Sequence, residues 1–191
     1  MERLFKEEKI SKTKKMVILS LLTTIALTIF VIESYLPPLL PIPGIKLGLS
    51  NIVTLLVILL WGFKEGALLS FMRITLGSIF AGQMMSFIYS LFGGILCLLA
   101  MCTFKKIFLK EDMIWLISVI GAIFHNIGQI IAACVFFSNL SLLMYFPVLL
   151  ISGIVTGTFT GIAVQYLVRK NKIIKKTRYI PCFFYNLIFS H

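Results

Sequence analysis

The sequence predicts an all-α membrane protein: a six-transmembrane-helix bundle with a proline-rich re-entrant loop after the first helix. Three observations carry that prediction. Apolar residues make up 59% of the chain and the mean hydropathy is +1.02, whereas a soluble domain carries roughly 45–50% apolar residues. Those residues fall in long runs, without the alternation that a β-barrel requires. The charges, net +11 over 191 residues, gather between the runs. In a soluble protein that excess would raise nucleic acid as a partner. Here it reads as topology signals and contacts with membrane lipids, and no nucleic acid is expected.

Residues 1–15 form a basic cytoplasmic arm with Arg3, Lys6, Lys9, Lys12, Lys14 and Lys15. The integral membrane domain covers 16–170, and 171–191 are a basic, then apolar, tail. The first span runs from Met16 to about Tyr35. A secretory signal peptide would be shorter and followed by an A-x-A-like cleavage site, so an uncleaved helix is expected. Ser20, Thr24 and Thr28 recur every four residues and share one face, suited to close helix contact.

Prolines 37, 38, 41 and 43 then fix φ and remove backbone donors, so the chain must be irregular. Ser50 or Asn51 is a natural N-cap for the next helix, Ser50 to Trp61. At ~1.5 Å per residue that helix covers only ~18 Å of a ~30 Å hydrocarbon core. It is expected to start below the membrane surface, with the loop dipping in to meet it. Its unpaired N–H groups would then point inward and favour an anion.

Trp61 to Gly66 is read as a short turn. Further spans are expected at Ala67–Ala81, Met84–Phe104, Met113–Phe137 and Leu142–Val168, with a charged loop from Lys105 to Asp112. Gly153, Gly157 and Gly161 form a second close-packing face on the last helix. Four cysteines show no CxxC spacing and three of them lie in spans, so packing is expected and no metal site or cofactor. Sixteen of the 18 Lys and Arg fall in segments that six spans would place on one side. The positive-inside rule makes that side cytoplasmic, with both termini inside a multi-pass cell-membrane protein.

Lys46 and Arg73 break the charge pattern, as does Glu33 among the acids. Arg73 falls near the middle of its span, where a charge costs at least ~2.5–3.5 kcal/mol on insertion scales and needs a partner or a watery cavity. Two readings stand: a substrate contact, or a structural lock with Glu33. His125, Asn126 and Gln129 form a second polar cluster, His125 and Gln129 one turn apart on one face. Asn51 joins them at the start of the short helix, and Gln83 is a weaker candidate. Together they predict an outward-facing, net positive pocket for a small anionic metabolite, with an aliphatic and aromatic lining that leaves room for an apolar, isoprenoid-like body.

The stretches PIPGIKLGLSNIVTLL, WGFKEGALLSFMRITLGSIFAG and HNIGQ resemble the Gx transporter family, also named heptaprenyl diphosphate synthase component I. The resemblance covers roughly 16–168. More loosely, the six helices and the small-residue face of the first resemble S components of energy-coupling factor transporters. That resemblance implies a substrate-capture subunit that docks, through Ser20, Thr24 and Thr28, onto a transmembrane coupling protein with two ATPases. The family's second name implies instead a non-catalytic membrane subunit beside a prenyl diphosphate synthase or quinone and redox machinery. Such synthases hold magnesium through aspartate-rich motifs, and this chain has a single aspartate, Asp112. Nor is there a G-x-x-x-x-G-K-[ST] loop. The chain itself is therefore not expected to be an enzyme.

Overall fold

The computed structural model describes residues 12–35, 46–82, 84–107 and 113–170. Six helices account for nearly all of them: α1 (Lys12–Tyr35), α2 (Asn51–Trp61), α3 (Phe63–Ala81), α4 (Met84–Ile107), α5 (Ile114–Phe137) and α6 (Phe146–Lys170). A 3₁₀ segment, Leu140–Tyr145, leads into α6. No strand occurs among the described residues. The bulk of the proline loop, Gln83, the start of the basic arm and the tail lie outside them. Lys12, Lys14 and Lys15, assigned from sequence to the arm, belong to the first turn of α1.

Four helices, α1, α4, α5 and α6 with its 3₁₀ lead, are long and apolar enough to cross a membrane. The other two differ for physical reasons. α3 has 19 residues, a length of ~28 Å, but carries Lys64, Glu65 and Arg73. α2 has 11 residues, a length of ~16 Å against a ~30 Å core. The short second helix expected from sequence is therefore present, and by length alone it is too short to cross.

α2 is nonetheless the hub. Eight of its residues are buried, and it touches α1, α3, α4, α5 and α6. α1 buries only Ala26, Phe30 and Glu33 and lies at the edge, against α2 and α3. The expected turn from Trp61 to Gly66 shrinks to one residue. Gly62 has φ 99° and ψ −162°, a region open essentially to glycine alone, so the chain reverses there and α3 begins at Phe63.

The α6 glycines pack as their spacing implies. A Cβ at Gly157 would lie 2.7 Å from Val119 Cα, and one at Gly161 2.6 Å from Trp115 Cα. These close approaches join α6 to α5, the small-residue packing common between membrane helices.

Contacts at one end of the bundle explain the charge pattern. Lys15 of α1 pairs with Glu65 of α3 and lies 5.9 Å from the Trp61 ring centroid. The Trp115 N–H, at the start of α5, donates to Gln165 near the end of α6. Lys105 corrects the expectation of a loop position: it belongs to α4, is buried, and donates Nζ to the Ile58 carbonyl at 2.8 Å. A cation thus meets the negative end of the α2 dipole, a favourable placement. Lys105→Met should cost about 1.5–3 kcal/mol, the range for a charged hydrogen bond. Thermal unfolding in detergent reads this as a Tm drop of several degrees, and an unchanged Tm would leave Lys105 without that role.

Candidate functional site

Asn51 and Arg73 each stand 11 residues from Gly62, one on either side (62 − 51 and 73 − 62). An α-hairpin folded at Gly62 therefore brings them level, ~16 Å from its tip. The structure shows that pairing. Arg73 Nη2 donates to Asn51 Oδ1 at 3.1 Å and to Ser70 Oγ at 3.3 Å, and Nη1 donates to Ser50 Oγ. Ser50 holds the N-cap position of α2 but makes no capping hydrogen bond, because its hydroxyl serves Arg73 instead.

Arg73 is 1% exposed, and its partners are all neutral. Of the two sequence readings, the lock with Glu33 is not what forms: the Glu33 carboxylate accepts the Gly48 N–H and makes no ion pair with Arg73. Arg73 Nε and Asn51 Nδ2 are buried without any hydrogen-bond partner. Two donors are thus left beside a cation that lacks a direct counter-ion, a costly arrangement unless something else completes it.

Lys46 comes to the same place from the loop. It donates to Ser34 on α1, with Nζ 3.4 Å from the Phe30 ring centroid; Arg73 Cζ lies 5.8 Å from that centroid. Phe30 thus stands between two cations, within reach of a cation–π attraction to each. Glu33 is the only carboxylate in this group. Two formal positive charges and the positive end of α2 face one negative charge, leaving the cluster net positive. Burial pulls the Lys46 ammonium down to about 8, with Glu33 opposing that shift.

His125 closes the far side. A Cβ at Gly48, whose φ is +80°, would lie 2.8 Å from Asn51 Nδ2 and 3.0 Å from His125 Cδ2. Gly48 is therefore both a left-handed turn position and a point of close approach. His125 and Gln129 bond to each other at 3.0 Å through their Nε2 atoms. With the amide donating, His125 Nε2 accepts and Nδ1 carries the proton. Gln129 Oε1 has no partner.

Asn126 goes elsewhere. Its Nδ2 donates to the Leu149 carbonyl of α6 at 2.6 Å, so it ties α5 to α6 and leaves the cluster. Arg73, Lys46, Asn51, Glu33, His125 and Gln129 come together; Asn126 does not. Ser20, Thr24 and Thr28 are exposed along α1, and each hydroxyl bonds the carbonyl four residues earlier.

Two expectations change. The first three amides of α2 are satisfied by the Gly48, Leu49 and Ser50 carbonyls in a 3₁₀-like turn, so free donors come from side chains rather than from the helix terminus. The outward-facing pocket is closed: Lys46, Asn51, Arg73 and His125 are all buried. The sequence offered Ser50 only as a helix cap and gave Phe30 and Ser70 no role in the site. Only Ser70 carried a signal, three residues before Arg73 on the same helical face.

Comparison with known proteins gives one family. The family described as heptaprenyl diphosphate synthase component I matches residues 22–167, well over half of the chain. No curated protein and no solved structure matches.

Proposed function

The chain belongs to the heptaprenyl diphosphate synthase component I family, and from that footing we propose that it captures a small anionic metabolite in the membrane. In this reading it is the S-component-like, non-catalytic subunit of a transporter. The observation that carries the reading is Arg73: a buried guanidinium with neutral partners and an unpartnered Nε, next to Lys46 and the start of α2. A carboxylate or phosphate placed there would take the free Arg73 and Asn51 donors and neutralise the surplus charge.

The closed cluster is then the occupied or resting form. Admission requires displacement of residues 46–50 ahead of α2, which include Lys46 and Gly48. The exposed Ser20–Thr24–Thr28 face of α1 is the proposed dock for an energy-coupling membrane subunit and its ATPases. In this reading the end where Lys15, Lys105 and Arg169 gather faces the cytoplasm. The second reading, favoured by the family's name, is a non-catalytic membrane partner of a prenyl diphosphate synthase. A pull-down from native membranes separates the two, coupling subunits with ATPases supporting capture and a synthase supporting the alternative.

Lys46 gives the capture reading a pH signature. Its charge is present below about 8 and lost above it, so anion affinity should fall as pH rises through that value. Lys46→Met should bind more weakly and lose the step. Equal pH profiles for the two proteins would remove Lys46 from the site.

A further inference from the structure

A row of serines beside the cluster bears on the body of the ligand. On α3, Ser70, Ile74 and Ser78 recur every four residues and share a face. Gly94 marks the opposing side of α4, since a Cβ there would lie 2.9 Å from Ile74 Cδ1 and 3.5 Å from Ser70 Oγ. Ser90 and Ser86 stand four and eight residues before Gly94, on that same side. Gly94 meets Ser70 and Ile74 across the α3–α4 seam, and helical spacing assigns Ser78, Ser86 and Ser90 to the same seam. It starts at Ser70, which accepts from Arg73, and extends eight residues to Ser78, ~12 Å toward the end away from Lys15 and Lys105.

Ser78, Ser86 and Ser90 are buried, and their hydroxyls have no hydrogen-bond partner. Thr54 on α2 and Thr75 on α3 are unpartnered in the same way, whereas exposed helical hydroxyls find a backbone acceptor. Thr24, Thr28, Thr103 and Thr158 each bond the carbonyl four residues earlier. Ser78 and Ser90 have such carbonyls, on Ile74 and Ser86, and leave them unused. Most buried hydroxyls in native folds have a protein or water partner, so a run of three without one calls for an explanation.

We propose that the α3–α4 seam is a second arm of the site, receiving uncharged oxygen groups of a ligand whose anionic end lies at Arg73. The inference rests on the capture reading and narrows it. The ligand is a compact, oxygen-rich anion, such as a hydroxy acid or a polyol phosphate. A prenyl chain in the same seam would bury methylenes against hydroxyls and leave every one of them unsatisfied.

The test uses full-length protein in which Cys97, Cys102, Cys134 and Cys182 are replaced by alanine. Single substitutions Ser90→Cys, Leu55→Cys (dry core) and Ile95→Cys (outer surface) are labelled with the anionic 2-sulfonatoethyl methanethiosulfonate and with decyl methanethiosulfonate. Ser90→Cys should react with the sulfonate at least tenfold faster than Leu55→Cys. Its sulfonate-to-decyl rate ratio should exceed that of Ile95→Cys. Adding Arg73→Met should slow the sulfonate several-fold at Ser90→Cys and leave neutral methyl methanethiosulfonate unaffected. A Ser90→Cys rate as slow as Leu55→Cys means a dry seam and overturns the inference, as does preference for the decyl reagent or indifference to Arg73. None of those results touches the anion reading, which stands or falls on whether the Arg73→Met protein still retains its anion.

Discussion

Arg73→Met should abolish anion retention while leaving the bundle folded. Truncating one partner of a buried, charged hydrogen-bonded contact costs roughly 2–5 kcal/mol, a loss of about 30-fold or more in affinity at ~1.4 kcal/mol per decade. Stability should move the other way or not at all. The guanidinium has no carboxylate partner, only Ser50, Asn51 and Ser70, and it faces the positive end of α2. Replacing buried charge by an apolar group of similar volume is often neutral or stabilising. The expected Tm in detergent is therefore equal to or above that of the unaltered protein. A structural lock predicts the reverse, a Tm lower by several degrees. Arg73→Lys should restore binding only in part, because an ammonium cannot reproduce the planar fork that reaches Ser50 and Asn51 together.

The largest loss of stability should come from Gly128→Ala. A Cβ there would lie 2.7 Å from both Gly93 Cα and the Phe92 carbonyl oxygen, and 2.8 Å from Gly93 N. All three atoms are backbone, so no side-chain rotation relieves the contact, and α4 must move away from α5. Overpacking costs roughly 1–3 kcal/mol, and each kcal/mol lowers Tm by about 2–4 °C at this chain length. The same displacement carries His125 from its seat against Gly93, so anion affinity should fall as well. Ile131→Ala, at an exposed position on α5, serves as the control. A Gly128→Ala protein as stable as that control would mean the two helices are not held at this distance.

Much of this arrangement is written in the sequence's periodicities. Spacing by four assigns Gly153, Gly157 and Gly161 to one face of α6, and the α5 backbone lies against that face. The same rule puts His125 and Gln129 together, but Asn126, grouped with them from sequence, turns to the Leu149 carbonyl of α6. Charge statistics also group Lys15, Lys105 and Arg169 at a common end of the bundle. What periodicity does not encode is the partner. Opposite charge suggests Arg73 with Glu33, yet Glu33 is taken by the Gly48 amide in a loop whose path no spacing reveals. Lys105 looks like one more interfacial lysine because the reach of its side chain to Ile58 depends on where α2 ends. Phe30 carries no sequence signal at all among the apolar residues of α1. Its role beside Lys46 and Arg73 appears only once three separate segments have met.

An experimental structure of the protein, purified from native membranes without added ligand and at a resolution that places small anions, tests the account most directly. The account predicts density for a bound anion within hydrogen-bonding distance of Arg73 Nε and Asn51 Nδ2, with Lys46 nearby and Glu33 still on the Gly48 amide. A guanidinium turned onto Glu33 in a dry, fully packed interior would contradict it.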